Sequence, residues 1–303
     1  MPSHHEARSL SEQLAERPVL LDGGLATTLE LLGHDISGDL WSARLLLDQP
    51  NAIIEAHTAF FAAGAEVATT ASYQATFDGF AANGIDRAQT ATLMKKSVLL
   101  AREAANQVTG RPTWVAASIG PYGAMLADGS EYRGGYGLTV GELREFHRPR
   151  IEVLAAAGAD VLAFETLPCA TEVEAVLLEV DEVGLECWVS VSIDGARTRA
   201  GEPLDDVFAM AAGVPSVIAV GVNCSTPSDA TAAVSVAART GKPVVIYPNS
   251  GEGWDAMNRT WVAAESDPHF PVERWVAEGA RLVGGCCRVT PADISAMAVQ
   301  LGH

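Results

Sequence analysis

The sequence predicts an α/β fold, a single (β/α)8 barrel of the TIM type, with its functional site at the carboxyl ends of the strands. Three observations lead to this prediction. Eight short apolar runs follow one another along the chain, helical stretches separate them, and a glycine ends several of those helices just before the next run. Continuous β-branched runs are typical of parallel strands that are covered on both faces. A doubly wound open sheet is the alternative arrangement of the same elements.

The predicted strands divide the chain at fairly regular intervals. In chain order they are Pro18–Gly24, Val67–Ser72, Trp114–Ile119, Val161–Thr166, Trp188–Ile193, Val217–Asn223, Val244–Tyr247 and Leu282–Cys286. No linker or low-complexity segment interrupts this series. We therefore expect residues 1–303 to form one barrel domain, with residues 1–17 as an N-terminal lead-in.

Helix signals fill the stretches between the strands. The clearest predicted helices are Asn51–Ala63, Asp86–Val108 and Gly141–Ala157. Capping boxes, in which two side chains satisfy the first free amides of a helix, are predicted at Thr139 with Glu142 and at Thr171 with Glu174. Thr290-Pro291 gives a cap followed by a proline at the first helical position. Glycine ends a helix shortly before the next strand at Gly64, Gly158, Gly213 and Gly279.

Composition excludes several classes of protein. With 303 residues, 48% hydrophobic and 19% charged, the chain is neither disordered, nor collagen-like, nor a disulfide-stapled miniprotein. Twenty Lys and Arg against 38 Asp and Glu give a net charge of −18, which argues against nucleic acid and anionic membranes as partners. No apolar run approaches the roughly 20 residues of a membrane span, and the N-terminus lacks a signal-peptide core. We expect a cytoplasmic protein, whose oligomeric state the sequence leaves open.

Chemically active side chains gather where the predicted strands stop. The strand ends read Asp22-Gly-Gly, Thr69-Thr-Ala-Ser-Tyr73, Ser118-Ile-Gly-Pro121, Glu165-Thr166, Asp194, Asn223-Cys-Ser225, Tyr247-Pro-Asn-Ser250 and Gly285-Cys-Cys-Arg288. In a barrel of parallel strands these ends meet at one end of the molecule. Acids, amides and thiols are therefore expected to share a site.

Three thiols stand out in this set. Cys224 ends the sixth strand, and Cys286 and Cys287 end the eighth. Strands six and eight are near neighbours in a barrel, so all three sulfurs can converge. Three thiolates with one open position describe a catalytic zinc site, and soft sulfur ligands favour zinc over magnesium or calcium. The alternative is that the three are small buried apolar residues, the role that we expect for Cys169 and Cys187.

Three segments carry a resemblance to a known family. Asp22-Gly-Gly, Gly221-Val-Asn-Cys224 and Gly284-Gly-Cys-Cys-Arg288 resemble the three signatures of the homocysteine S-methyltransferases, zinc-dependent enzymes on a (β/α)8 barrel. The resemblance runs from Leu20 to about Leu301. The length of the chain and the stretches Leu40-Trp-Ser42 and Thr69-Thr-Ala-Ser-Tyr-Gln74 look most like the stand-alone members that use S-methylmethionine.

The resemblance implies a reaction. A methyl group would pass from a sulfonium donor, S-methylmethionine or S-adenosylmethionine, to the thiol of L-homocysteine, giving methionine, with Zn2+ held by Cys224, Cys286 and Cys287. The chemistry agrees with this, because a thiol with a pKa near 8.5 is mostly protonated at pH 7 and a zinc ion ionises it. A zinc ion with three thiolates is anionic, so it also attracts a cationic methyl donor.

The resemblance also implies a pocket for homocysteine. Asp22 and Glu165 match the acidic residues that hold the substrate ammonium. The amide of Gly23 and the hydroxyl of Thr70 are expected to receive the carboxylate, with Thr69 and Ser72 as alternatives for the hydroxyl.

Three further assignments concern the surroundings of that pocket. Asn223 is expected to orient Cys224 or to touch the substrate. Trp41 can face a sulfonium or ammonium group, and it can equally be a core or lid aromatic. The glycine-rich segment Asp128–Gly137 is interpreted as a mobile lid.

Other functions remain compatible with the sequence. The donor can be betaine, and the acceptor can be selenocysteine or another small thiol. A barrel that only binds zinc or an amino acid is a non-enzymatic alternative, and a metal-free barrel with Glu165 or Asp22 as general base is another. The combination of an acidic pocket with three thiols favours the enzyme, since a zinc store does not need an amino-acid pocket.

Overall fold

Eight parallel strands form a closed barrel in this computed structural model, which describes residues 8–36, 41–255, 260–262 and 270–302. The barrel strands are β1 (Val19–Leu20), β2 (Val67–Thr69), β3 (Trp114–Ile119), β4 (Val161–Leu167), β5 (Cys187–Val191), β6 (Val217–Asn223), β7 (Val244–Tyr247) and β8 (Ala280–Val283). Their hydrogen-bonded order is β1-β8-β7-β6-β5-β4-β3-β2. A parallel bridge between Leu21 and Val67 joins the two ends of that order, so the predicted (β/α)8 barrel is confirmed and the open sheet is excluded.

Helices lie between consecutive strands and cover the outside of the barrel. They are α1 (Leu10–Glu16), α2 (Leu25–Leu31), α3 (Trp41–Asp48), α4 (Pro50–Ala62), α5 (Phe77–Ala81), α6 (Arg87–Ala105), α7 (Tyr122–Leu126), α8 (Val140–Ala155), α9 (Ala170–Val183), α10 (Leu204–Ala212), α11 (Pro227–Ala238), α12 (Val272–Ala277) and α13 (Pro291–Leu301). The remaining regular pieces are a 3-10 helix and two short hairpins, at Ser130–Tyr132, Ile193–Asp194 with Arg197–Thr198, and Gly253–Asp255 with Thr260–Val262. None of the helices in these described ranges has the length and apolar character of a membrane span.

Four strands are shorter than the sequence predicts: β5 is Cys187–Val191, where Trp188–Ile193 was expected, and β1, β2 and β8 end early. β1, β2 and β8 stop before Asp22, Thr70 and Gly284, respectively. The residues that follow lie outside the paired strands. The side chains of Asp22 and Thr70 make hydrogen bonds beyond the strand ends, and Gly284 packs too closely against Leu21 to carry a side chain. The predicted bounds of β3, β6 and β7 are confirmed, because those runs are buried along their whole length.

The helix-cap predictions have mixed outcomes. The boxes of Thr139 with Glu142 and of Thr290 with Asp293 are formed, although Asp293 is a partner that the sequence analysis did not name. The predicted box at Thr171 is wrong, because α9 begins two residues earlier, with Cys169 in place of Thr171 as its N-cap. The Glu202 carboxylate accepts the Ala170 N–H at 3.2 Å, so a distant side chain replaces the local cap.

The glycines that end helices also divide into two groups. Gly64, Gly158 and Gly279 have φ angles of 110°, 87° and 118°, the left-handed conformation that was expected. Gly213 instead keeps a right-handed φ of −68° and donates its N–H to Ala209 at 3.2 Å. The backbone therefore continues from α10 towards β6 without a left-handed residue at position 213.

The N-terminal lead-in contributes to the core. Leu10 and Leu14 of α1 are buried in the same apolar cluster as the inward-facing residues of the barrel strands. The indole N–H of Trp114 donates to the carbonyl of Arg8 at 3.1 Å. Since Trp114 is the first residue of β3, helix α1 closes the amino end of the barrel and leaves the carboxyl end for the site.

Candidate active site

The structure brings together the three cysteines that the sequence places at two strand ends. The sulfur of Cys224 lies 2.6 Å from that of Cys286 and 3.5 Å from that of Cys287, and all three sulfurs lie within 4.8 Å of one another. Cys224 is buried, and the pair is half-buried. Sulfurs bound to one tetrahedral zinc ion at about 2.3 Å lie about 3.8 Å apart, so the three can serve as its ligands once Cys224 and Cys286 separate by about 1 Å. Cys169 and Cys187 are buried elsewhere in the barrel, as expected.

Backbone contacts from the end of β7 hold the adjacent pair in place. The N–H of Cys286 donates to the carbonyl of Pro248 at 2.8 Å, and the N–H of Cys287 donates to Oδ1 of Asn249 at 3.2 Å. The carbonyl of Cys287 accepts the N–H of Ser250 at 3.1 Å. Asn249 is a positioning residue that the sequence analysis missed, although its position directly after a strand was noted.

The glycines beside the site are required by close packing. A Cβ on Gly285 would lie 2.1 Å from a methyl carbon of Val289, and one on Gly24 would lie 2.7 Å from the carbonyl oxygen of Cys286. A Cβ on Gly23 would lie 2.6 Å from the carbonyl oxygen of Val289. The Gly-Gly pairs of the first and third signatures therefore let the ends of β1 and β8 approach each other. This approach positions Asp22 next to the loop that carries Cys286 and Cys287.

Three residues at the site have strained backbones. Thr166, Cys224 and Arg288 have φ angles of 61°, 47° and 66°, in the left-handed region that non-glycine residues rarely adopt. Each such residue costs about 1–3 kcal/mol. The strain redirects the chain immediately after Glu165, at Cys224 itself and immediately after Cys287, so it aims the candidate functional side chains.

Asn223 holds two of these strand ends together. Its Oδ1 accepts the N–H of Thr166 at 2.7 Å and the hydroxyl of Ser190 at 3.0 Å, and its Nδ2 donates to Oγ1 of Thr166 at 2.8 Å. The side chain is fully buried. Of the two roles expected for Asn223, these contacts favour orienting its neighbour Cys224 over touching a substrate.

Two buried carboxylates lie at the same end of the barrel. Asp22 accepts the N–H and the hydroxyl of Thr69, both at 2.7 Å, and Glu165 accepts hydrogen bonds from the hydroxyls of Ser118 and Tyr247. Within the described ranges neither carboxylate has an ion-pair partner. Burial raises the pKa of Asp22 to about 7 and that of Glu165 also to about 7, and their mutual repulsion adds to the shift at Asp22. Two unpaired acids of this kind provide a binding site for a cation.

The hydroxyl expected from Thr70 is engaged in the protein. Its Oγ1 accepts the N–H of Ser118 at 3.0 Å and lies 2.7 Å from Oγ of Ser72, which donates to the carbonyl of Ser118. This network ties the end of β2 to β3. Thr69, the alternative named from the sequence, is the residue that contacts Asp22. Trp41 is the first residue of α3, and its side chain lies outside the described residues.

The segment Asp128–Gly137 brings an aromatic residue to the thiols. The hydroxyl of Tyr132 lies 3.8 Å from the sulfur of Cys224. Gly123 permits this placement, since a Cβ there would lie 2.4 Å from the backbone nitrogen of Glu131. Sequence analysis placed this segment over the site but did not single out Glu131 or Tyr132, because only the packing of loops from different strands identifies them.

The three thiols share hydrogen bonds and polarise one another. Hydrogen bonds from Cys224 and Cys286 lower the pKa of Cys287. Hydrogen bonds to Cys224 and Cys287, together with burial, raise the pKa of Cys286. For Cys224 the bond from Cys286 lowers the pKa, but the bond to Cys287 and burial outweigh it, so the net shift is upward. The arrangement favours one thiolate supported by two thiols, a donor set that a zinc ion can fully ionise.

Comparison with known proteins gives consistent matches. The homocysteine S-methyltransferase family model matches residues 19–301. A homocysteine S-methyltransferase of Escherichia coli (strain K12) is 47% identical over 292 residues, 92% of this chain and 94% of that protein. A selenocysteine Se-methyltransferase of Brassica oleracea var. italica is 41% identical over 318 residues, 97% of this chain and 92% of that protein. Among solved structures, the metallated form of the E. coli homocysteine methyltransferase MmuM has a TM-score of 0.84 at 44% identity, covering 94% of this chain and 96% of its own.

Proposed function

The chain belongs to the homocysteine S-methyltransferase family, and on this premise we propose that it transfers a methyl group from S-methylmethionine to L-homocysteine at a zinc ion held by Cys224, Cys286 and Cys287. The observation that carries the proposal is the convergence of three thiols beside two buried, unpaired carboxylates. The thiols match the metal ligands of such a reaction, and the carboxylates match an amino-acid ammonium. A store for zinc alone has no use for the second feature.

Different residues bind the thiol and the amino-acid group of homocysteine. A bound zinc ion supplies positive charge that ionises the substrate thiol and leaves it nucleophilic. Asp22 and Glu165 bind the ammonium, and the amide of Gly23 binds the carboxylate, while the hydroxyls of Thr69, Thr70 and Ser72 hold the end of β2 in place. Asn223 and Asn249 hold the ligand loops in their strained conformations. Tyr132 lies beside Cys224 and limits the access of water to the sulfurs.

The reaction is a displacement at carbon. The homocysteine sulfur forms a bond to the methyl carbon while the bond from that carbon to the donor sulfonium breaks, and the electron pair passes to the donor sulfur. The thiol proton is released when homocysteine binds. With S-methylmethionine as donor, both products are methionine. Holding the two sulfurs in line with the methyl group is the main contribution of the protein, since correct placement can supply about 7–11 kcal/mol of a barrier.

Two extensions of the proposal concern acceptor and compartment. Selenocysteine is a second candidate acceptor, because one relative is named for that activity. We also assign the enzyme to the cytoplasm, since its ligand thiols must stay reduced and that compartment keeps them so.

Donor choice can be tested with purified, zinc-loaded protein. Homocysteine is incubated separately with S-methylmethionine, S-adenosylmethionine and betaine, and methionine formation is followed over time. We expect S-methylmethionine to give the highest kcat/KM, with S-adenosylmethionine slower and betaine inactive. Methyl-deuterated donors show whether the product carries the transferred group. Absence of labelled methionine with every donor would contradict the proposal.

Glu165→Gln is expected to raise the free energy of unfolding at pH 8 while it weakens the binding of homocysteine. Because the pKa of Glu165 is about 7 in the folded chain and near 4.3 when exposed, the folded protein keeps a proton that the unfolded chain releases between these values. The free energy of unfolding of the natural protein therefore falls as the pH rises through this window. Glutamine has no such proton, so the variant should equal the natural protein to within a few tenths of a kcal/mol at pH 4 and exceed it by about 1–3 kcal/mol at pH 8.

The same substitution should weaken homocysteine binding. Loss of a charged partner for the ammonium is expected to raise the homocysteine KM about tenfold or more. Thermal unfolding without substrate at both pH values and steady-state kinetics at pH 8 are the measurements. The exposed residue Glu174 of α9 gives the control Glu174→Gln, which should change neither quantity. A Glu165→Gln protein that is less stable than the natural one at pH 8 would show that Glu165 is not an uncompensated charge.

A further inference from the structure

Two oppositely charged side chains in the loops near the thiols each have a buried polar atom without a hydrogen-bond partner. Nε of Arg199 is buried without a hydrogen bond, and the described part of the chain contains no carboxylate paired with this guanidinium. Oε2 of Glu131 is likewise buried without a partner. Unsatisfied buried polar atoms are rare in folded proteins and call for an explanation. In a chain with a net charge of −18, an arginine without an acidic partner is the more unusual of the two.

Both side chains belong to loops that contact each other over the site. The hydroxyl of Ser192 donates to the carbonyl of Glu131 at 3.2 Å, and the N–H of Arg199 donates to the carbonyl of Ser192 at 3.2 Å. A Cβ on Gly134 would lie 3.1 Å from Cβ of Ala200, so the loop after β3 is packed closely against the loop after β5. The loops after β3 and β5, which carry Glu131 and Arg199, therefore form one packed framework.

Tyr132 connects this framework to the thiols. The guanidinium carbon of Arg199 lies 5.8 Å from the centre of the Tyr132 ring, and the hydroxyl of the same ring lies 3.8 Å from the sulfur of Cys224. A contact at 5.8 Å is at the outer limit of a cation–π interaction and leaves the N–H groups of the guanidinium free. Arg199 and Cys224 thus contact the same phenol ring, the guanidinium over its face and the sulfur at its hydroxyl.

We infer that Arg199 and Glu131 bind the amino-acid head of the methyl donor, with the guanidinium on its carboxylate and the Glu131 carboxylate on its ammonium. This inference rests on the proposed function. The head of homocysteine has its own acids, Asp22 and Glu165, at the ends of β1 and β4. The second substrate is also an α-amino acid, and its head requires a second pair of complementary charges on the outer side of the thiols.

The inference explains how the enzyme would recognise its donor. A guanidinium binds a carboxylate through two parallel hydrogen bonds, so it selects donors that carry that group at the correct distance from the sulfonium. Glu131 adds the requirement for a free ammonium, which betaine lacks. Arg199 and Glu131 are then specificity-determining residues for the donor and have no part in binding homocysteine.

Kinetics with each substrate varied in turn test this assignment. In Arg199→Gln we expect the KM for S-methylmethionine to rise about 10- to 100-fold while the KM for homocysteine changes less than about threefold. Glu131→Gln should show the same pattern. The charge-matched controls are Arg197→Gln in the neighbouring hairpin and Asp181→Asn on α9, which alter exposed residues and should change neither KM.

A modified donor gives a second, sharper comparison. The natural enzyme should prefer S-methylmethionine to its carboxamide, which lacks the negative charge, by about 10-fold or more, and Arg199→Gln should lose that preference. Calorimetric titration of the zinc-loaded proteins with S-methylmethionine measures the same loss without turnover.

The outcomes distinguish this inference from the proposed function. If the natural enzyme makes no methionine from S-methylmethionine, the proposed donor is wrong and the inference is overturned with it. If the natural enzyme is active and Arg199→Gln keeps its donor KM, or raises the homocysteine KM instead, the inference alone is overturned. Zinc content and melting temperature identify a variant that has failed to fold, and Arg199→Lys then tests the two parallel hydrogen bonds with the charge retained.

Discussion

Replacing Cys224, Cys286 or Cys287 with alanine is expected to abolish tight zinc binding and to lower kcat/KM at least about 1000-fold, equivalent to about 4 kcal/mol of transition-state stabilisation. Each thiolate supplies one of the three protein bonds to the metal, and two remaining ligands leave a site that no longer holds zinc tightly. Without the metal, homocysteine stays largely protonated at neutral pH and its thiol is a poor nucleophile. Metal analysis after dialysis and steady-state kinetics are the measurements.

The chain contains its own matched controls for this experiment. Cys169 and Cys187 are buried thiols outside the cluster, and Cys169→Ala and Cys187→Ala should keep about one zinc per chain and most of the activity. Circular dichroism and thermal melts show whether all five variants fold. If any of the three cluster variants retains both zinc and activity, that cysteine is not a ligand.

Gly221→Ala is expected to destabilise the barrel by about 3 kcal/mol or more. Gly221 lies inside β6, and a Cβ there would lie 1.8 Å from the carbonyl oxygen of Val245 in β7. Both groups belong to the paired backbones of adjacent central strands, so neither can move without breaking ladder hydrogen bonds. The melting temperature should fall by about 5–10 °C, and zinc affinity should fall with it because Cys224 directly follows the last residue of this strand.

A glycine on the surface provides the comparison. Gly141 lies in the first turn of α8, and a Cβ there would come no closer than 3.8 Å to the nearest atom, Oγ1 of Thr139. Gly141→Ala should leave the melting temperature unchanged or raise it slightly, because alanine reduces the freedom of the unfolded chain. Equal melting temperatures for Gly221→Ala and the natural protein would show that β6 and β7 can separate at this point, contrary to the geometry described above.

Sequence patterns predicted the barrel because burial on both faces leaves a distinct signal. The bounds of β3, β6 and β7 follow directly from continuous apolar runs. The ends of β1, β2 and β8 were predicted too far along the chain, because residues such as Asp22 and Thr70 continue the run in sequence while their side chains turn towards the site. The failed cap at Thr171 has a related cause, since Glu202 reaches the helix from another loop.

The candidate site was predictable only in part. The cysteines, Asp22 and Glu165 lie directly at strand ends, where the topology alone brings them together. Glu131, Tyr132 and Arg199 lie several residues beyond those ends, in loops whose positions depend on contacts such as that of Ser192 with Glu131. No local pattern in the sequence encodes such a contact. Glu131, Tyr132 and Arg199 can therefore be identified as site residues only from the packing of the loops in the structure.

The joint between β1 and β2 has a consequence for redesign. The bridge from Leu21 to Val67 completes the ring of strands there, and the N–H of Glu66 donates to the carbonyl of Leu20 at 2.8 Å beside it. The carboxylate of Asp22 accepts two further hydrogen bonds from Thr69 across the same joint. The side chain of Asp22 thus stabilises the closure of the barrel and, in the proposed function, also binds the substrate ammonium. Libraries that seek new acceptors by varying position 22 will therefore select against variants with a weakened β1–β2 joint as well as against poor binders. Position 165 lies on β4, away from this joint, so its variation leaves the closure of the barrel unchanged.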